Sequence, residues 1–310
     1  MPLLDALRAL SEFEPPGELP PCDLGELAGV LEAHGLAPLA SYQLETRRIG
    51  MGLPDAFREK LLAIYQGTVN DNVTRLLGLK KVLDGVRDVP VLLLEGAAYV
   101  DWLYPHLGFR PVGEVRLAVR GEDAGRFAEG AALAGFAPAE TGPGGHTATF
   151  GDGLVRIHLQ EGVVAGGPAD AGLFERRRPY PAFGPVAARP GPEDALLVTV
   201  ADQAALGLHA PLVTFVDLRE LLRQPDLDPG LVRRLAAEAG LSRALHGSLS
   251  LLAGFFPPLA DRALALRPEL PAVERLAVEA VVESARDPAR LRHFRGSEAA
   301  ARLVVAPRTS

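Results

Sequence analysis

Apolar positions along this chain change their period twice, and the changes divide it into segments. From Pro54 to Asp84, residues such as Phe57, Leu61, Tyr65, Val69, Leu76 and Leu83 keep an i, i+3, i+4 spacing. That pattern predicts a long amphipathic helix ending at Gly85. Ahead of it, Leu3 to Phe13 reads as a short amphipathic helix stopped by Pro15-Pro16-Gly17. Asp23 can cap another helix that runs to about His34, with Gly35 at its end. Residues 1–88 thus form a predicted helical segment.

The period shortens in residues 89–165. Val89 to Leu94 is a continuous apolar run of the kind buried on both sheet faces. Val115, Leu117 and Val119 alternate with Glu114, Arg116 and Ala118, and Leu154 to Leu159 alternates around Arg156 and His158. A helix is expected between these strands, from Asp123 to Gly135. Residues 166–194 are rich in Gly, Pro and Arg, with Glu175-Arg176-Arg177-Arg178-Pro179 in their midst, and read as a surface connection. From Pro192 the helical period returns, with helices expected over 193–207, 212–223, 229–239, 241–254, 258–266 and 271–285, and residues 195–310 are expected to form a C-terminal helical domain. The expected fold class is α+β: a small mixed sheet with flanking helices, between N-terminal and C-terminal helical segments.

Composition narrows the partners. With 310 residues, 48% hydrophobic and 23% charged, the chain can bury a sizeable core and does not have the makeup of a disordered one. A formal net charge of -7 disfavours nucleic acid and anionic membrane surfaces. The single Cys22 excludes an intramolecular disulfide. The N-terminal residues lack a basic start and place Asp5 and Glu12 within their apolar stretch, unlike a signal peptide. A cytoplasmic location is the expectation.

The chemistry concentrates between Val91 and His158. A strand runs into Gly96 and a short helix, and a second strand then carries Glu114 and Arg116 two residues apart, hence on one face. Leu92-Leu93-Leu94-Glu95-Gly96-Ala97-Ala98, then Arg110-Pro111-Val112-Gly113-Glu114-Val115-Arg116-Leu117-Ala118-Val119, then Val155-Arg156-Ile157-His158 together resemble a bacterial nucleotidyltransferase family of the DNA-polymerase-β-like superfamily. His146 ahead of the third strand, His209, and Val216-Asp217-Leu218 extend the likeness. The resemblance implies a nucleotidyltransferase-like sheet, two carboxylates holding Mg²⁺ against a nucleotide triphosphate, and a Gly96 turn whose amides approach the phosphates. At the family's charged positions this chain differs: Glu95 stands for a lysine, Glu114 for the first aspartate, Arg116 for the second, and Arg156 for the aspartate before the last histidine.

Nucleotidyl transfer needs carboxylates converging on a divalent ion, because Mg²⁺ takes hard oxygen ligands. A guanidinium about 4 Å away repels such an ion by roughly 8 kcal/mol at an effective dielectric near 20. The favoured expectation is therefore a catalytically degenerate protein with a binding or regulatory role, in which one or two guanidiniums share Glu114 in place of the metal. No cofactor is then expected. One alternative is an active transferase, with Mg²⁺, Glu114 as residual ligand, and Glu95 or Asp152 as the nearest further acid. The other is a metal-free receptor for a nucleotide or another phosphate-bearing small molecule, built on Gly96, Arg116, Arg156 and His158. A protein partner fits the regulatory role. His158 reads first as a hydrogen-bonded, half-buried residue, and the chain's histidines lack the H-E-x-x-H spacing of a zinc site.

Overall fold

A computed structural model describes residues 2–14, 18–46, 49, 52–141, 147–164, 171–286 and 299–307. The stop at Pro15 to Gly17, His146 and residues 166–170 of the Gly/Pro-rich stretch lie outside these.

Three short helices open the chain: α1 (Pro2–Ser11), α2 (Leu24–Ala33) and α3 (Ala37–Thr46). Asp23 caps α2 as its sequence suggests, with its carboxylate accepting from Glu26 N at 2.7 Å. The long periodic stretch is α4 (Asp55–Gly85). Its Gly78 lies so close to Val155 that an added Cβ would sit 2.7 Å from a Val155 methyl, so the helix can pack directly onto the connection between the fourth and fifth strands of the sheet.

Among the described residues the sheet has seven strands. In chain order these are β1 (Val91–Leu94), β2 (Val115–Ala118), β3 (Ala137–Thr141), β4 (Thr147–Gly151), β5 (Arg156–Gln160), β6 (Arg178–Pro179) and β7 (Ala187–Arg189). Their spatial order is β3-β4-β5-β2-β1-β7-β6. β1 runs antiparallel to β2 and parallel to β7, while β2 runs parallel to β5. All four residues of β1 are buried, as its unbroken apolar run requires. Between strands lie α5 (Glu95–Tyr99), α6 (Ala124–Leu133) and α7 (Ala171–Glu175).

Two parts of the sheet differ from the sequence expectation. The hairpin of β3 and β4 has weak alternation, and β4 is placed by its pairing with β5. The stretch read as a surface connection supplies β6 and β7, and Ala187 and Ala188 of β7 pack beside Val91 and Leu92. Short strands of small residues carry little periodic signal.

The C-terminal part is helical: α8 (Pro192–Ala205), α9 (Leu212–Leu222), α10 (Pro229–Glu238), α11 (Ser242–Phe255), α12 (Ala260–Leu266), α13 (Ala272–Ala285) and α14 (Ala299–Val305). α8 is buried along nearly its whole length and touches α5, α9, α10 and α11. Side chains from every part, including Leu7, Leu93, Leu159 and Leu251, join one hydrophobic core. No helix among the described residues is long and apolar enough to cross a membrane.

Candidate functional site

Two anchors fix the loop between α5 and β2. Asn72, fully buried on α4, donates to Leu107 O (2.6 Å) and Arg110 O (2.8 Å) and accepts from Val112 N (2.8 Å). Arg110 in turn clasps Asp217 of α9, with Nε and Nη2 donating to its carboxylate at 2.8–3.0 Å. The Tyr104 hydroxyl adds a 2.6 Å bond to the same carboxylate. Both charges are buried, so full mutual satisfaction is what permits them there. This pair ties the start of β2 to the C-terminal helices.

A third anchor brings α8 over the sheet. Tyr99 of α5 donates to Ala195 O and lies 2.9 Å from Thr199 Oγ1. Asp202, one helical turn beyond Thr199, then reaches Arg116 of β2.

Arg116 is the centre of the site. Its Nη1 lies 2.7 Å from Glu95 Oε2 and 2.6 Å from Asp202 Oδ1, and its Nη2 donates to Gln160 Oε1 at 2.7 Å. The three charged side chains are only 13%, 21% and 24% exposed, in the order Arg116, Glu95, Asp202. Glu95 holds this position with a left-handed backbone, φ 46°, a conformation that L-residues adopt at a cost.

Two carboxyls against one guanidinium nitrogen leave one negative charge too many. Asp202 Oδ2 is buried and accepts no hydrogen bond among the described residues, which leaves it placed to share a proton with Glu95. Burial and then the neighbouring Glu95 charge raise the Asp202 pKa well above its usual value. For Glu95, burial works in the same direction, but Arg116, the Asp202 hydrogen bond and Arg110 outweigh it and lower its pKa to about 2. The two carboxyls are thus pushed in opposite directions, and Asp202 is the one that holds a proton more readily.

The other sequence-predicted residues lie on the same sheet face. β2 and β5 are in register, with Arg116 opposite His158, so Glu114, Arg116, Arg156, His158 and Gln160 form one polar strip. Of the one or two guanidiniums expected on Glu114, Arg156 is there and Arg116 is not. Glu114 sits just before β2, 53% exposed, and among the described residues pairs only with Arg156 Nη1, at 3.4 Å, with Arg156 itself 59% exposed. Arg116 lies two residues deeper, where Glu95 and Asp202 reach it first. His158 is half-buried, 3.4 Å from Thr149 Oγ1. Burial, then Arg116, lower its pKa, which keeps it neutral at neutral pH.

Asp152, the other acid near Glu114 in sequence, is used by a turn: its Oδ1 accepts from Leu154 N and Val155 N. Gly96 has a packing reason, since a Cβ there would collide with the Arg110 guanidinium and lie 3.3 Å from Val112 Cα. Among the described residues no three or more His, Cys, Asp or Glu side chains are grouped to hold a metal ion. Mg²⁺ would need oxygens converging on open space, whereas here Glu95 and Asp202 converge on a guanidinium. The site as built does not fit that ion.

Sequence reasoning missed Asp202, whose only signal is an isolated acid in the apolar helix Ala195–Ala205. It also missed the Arg110–Asp217 clasp, for which two oppositely charged residues far apart in sequence give no local pattern.

A family model described as "uncharacterised nucleotidyltransferase" matches residues 20–257. Searches of curated proteins and of solved structures find no match. Spanning most of the chain, the family match includes every residue of the polar strip and its anchors: the chain belongs to this nucleotidyltransferase family.

Proposed function

We propose that this member of the uncharacterised nucleotidyltransferase family has replaced metal-dependent transfer with a binding or regulatory role. The observation that carries the reading is Arg116, bonded to both Glu95 and Asp202 where the family resemblance implies a metal-binding acid. The Arg116 guanidinium engages both carboxylates, so the cluster neither presents free oxygens to a divalent cation nor offers a free cation to a triphosphate. Glu114, left outside with Arg156, supplies one acid where the chemistry needs at least two. What remains is a face closed by α8, suited to holding the C-terminal helices on the sheet.

The test is direct. Purified protein incubated with labelled ATP, GTP, CTP or UTP and Mg²⁺ or Mn²⁺ is expected to transfer no label to itself or to cell extract. Transfer that disappears in Glu114→Gln would overturn the reading in favour of an active enzyme. A receptor at Arg116 is tested by melting with ATP in EDTA, since a ligand that binds the native state raises Tm by mass action. No ATP-induced rise that Arg116→Ala removes is expected, and such a rise would favour the metal-free receptor.

A further inference from the structure

The run Arg176-Arg177-Arg178 gives its three guanidiniums different surroundings. Arg176 is bidentate to Asp194, with Nε and Nη2 at 2.9 and 2.8 Å. Arg178 pairs with Asp226 at 2.5 Å. Arg177 between them is exposed, steadied only by a bond from Nη1 to Phe174 O, and has no carboxylate within ion-pair distance among the described residues. It lines a groove of about 540 Å³, and so does Arg87. Arg87 comes from the turn after α4 and is likewise exposed, with Nε on Asp84 O at 3.1 Å and no ion pair among the described residues.

The rest of the lining has a different character. Pro90, Pro179, Pro185, Val186, Ala187 and Ala188 supply the walls and floor. Proline rings have no side-chain freedom to lose, and the floor belongs to the paired strand β7, so the groove is largely formed before anything enters it. It opens at the N-terminal end of β1, whereas Glu95 and Arg116 lie at the C-terminal end of that strand. Asp88 is the one acid in the lining. Two cations against one anion leave a local positive excess on a chain whose overall charge is -7.

We propose that this groove is a second binding site, for a small molecule that carries an oxyanion, carboxylate or phosphate, on a flat apolar body. Arg87 and Arg177 grip the oxyanion through the N–H groups their single backbone bonds leave free, and the proline-lined walls take the apolar part. Its volume lies within the range of small-molecule sites. The proposal is independent of whether the family chemistry survives at Arg116.

Titration of the full chain with phenyl phosphate, benzoate and the neutral benzyl alcohol tests it by calorimetry, with amide NMR shifts reporting the place. Saturable binding of at least one anion is expected, with shifts at residues 87–90, 177–179 and 185–188. Benzyl alcohol should bind at least about tenfold more weakly, because the charge-assisted bonds are missing. Each of Arg87→Ala and Arg177→Ala, both exposed side chains, should weaken the anion by about tenfold or more, and Asp88→Asn should tighten it by roughly two- to threefold. Tighter binding of phenyl phosphate than benzoate assigns the site to phosphate esters, and the reverse order to carboxylates. Absence of saturation with both anions, equal binding of the alcohol, or a loss seen in Arg116→Ala but not in the Arg87 and Arg177 variants would overturn the proposal.

Discussion

Arg116 and Arg156 occupy positions that the linear sequence presents as equivalent: each is in a strand, each faces the same side of the sheet, and each stands where the family resemblance implies an acid. Folding separates them. Arg116 is 13% exposed and bonded to two carboxyls and an amide, while Arg156 is 59% exposed beside one carboxylate at 3.4 Å. Depth decides the difference in energy, because water competes for the outer pair and is largely excluded from the inner one. Two arginines in one motif can therefore be a structural fastener and a solvated surface charge. A charge swap in a sequence motif is thus best interpreted together with the partners that burial supplies.

The largest effect should come from removing the inner cation. Arg116→Ala leaves Glu95 and Asp202 facing each other with little water, and breaking such a buried arrangement costs about 3–5 kcal/mol. Chemical denaturation of the variant measures this. A loss below about 1 kcal/mol would place Arg116 in the same class as Arg156 and erase the contrast.

A packing change beside the same cluster should cost less. Gly96→Ala forces a methyl against Arg110 and Val112, whose positions Asp217 and Asn72 fix. Overpacking of that kind costs about 1–3 kcal/mol. The loss should show as a lowered denaturation midpoint with an unchanged m-value. An unchanged midpoint would mean that the Arg110 clasp yields easily.

The raised pKa of Asp202 gives the inner cluster a pH signature. Because its folded pKa is raised, the native state binds a proton that the unfolded chain has released, so stability falls as pH rises from the ordinary aspartate range through the raised value. The slope can reach about 1.4 kcal/mol per pH unit for one whole proton. Glu95 has the opposite sign: its contribution is present above the ordinary glutamate range and lost as pH falls toward about 2. Asp202→Asn, which keeps a donor toward Glu95 but cannot titrate, should flatten the decline on the alkaline side. Parallel profiles of native protein and variant between pH 5 and about 9 would mean that no proton is retained.

The legibility of these features in the sequence follows their range. Helices such as α4 and α8 to α13 are read from local periodicity, and the two strands carrying Arg116, Arg156 and His158, with Glu114 just ahead of the first, from alternation. The shared face of those four residues follows from the same alternation once β2 and β5 are neighbours. Asp202 could not be read, because it meets Arg116 only after Tyr99 has docked α8 on α5. Strands β6 and β7 could not be read either: at two and three residues they contain less than one full alternation to detect. Long-range pairing, not local propensity, makes both the sheet edge and the ion cluster.

The smallest effect belongs to Glu114 and Arg156, and it sharpens the contrast because both residues sit in the motif that drew attention to the site. An exposed pair gains little Coulomb energy in water and loses side-chain freedom to hold one geometry, so its coupling should be about 0–0.5 kcal/mol. Arg156→Ala and Glu114→Ala, each alone and combined, form a double-mutant cycle that isolates the term. Salt separates the two layers further, since at about 1 M ionic strength the Debye length is near 3 Å and the outer coupling should vanish. The Arg116→Ala penalty should persist under the same conditions, because ions cannot readily enter between Arg116, Glu95 and Asp202. An outer coupling above about 1 kcal/mol that survives high salt would mean that Glu114 and Arg156 are shielded in solution, and the two arginines would then belong to one cluster.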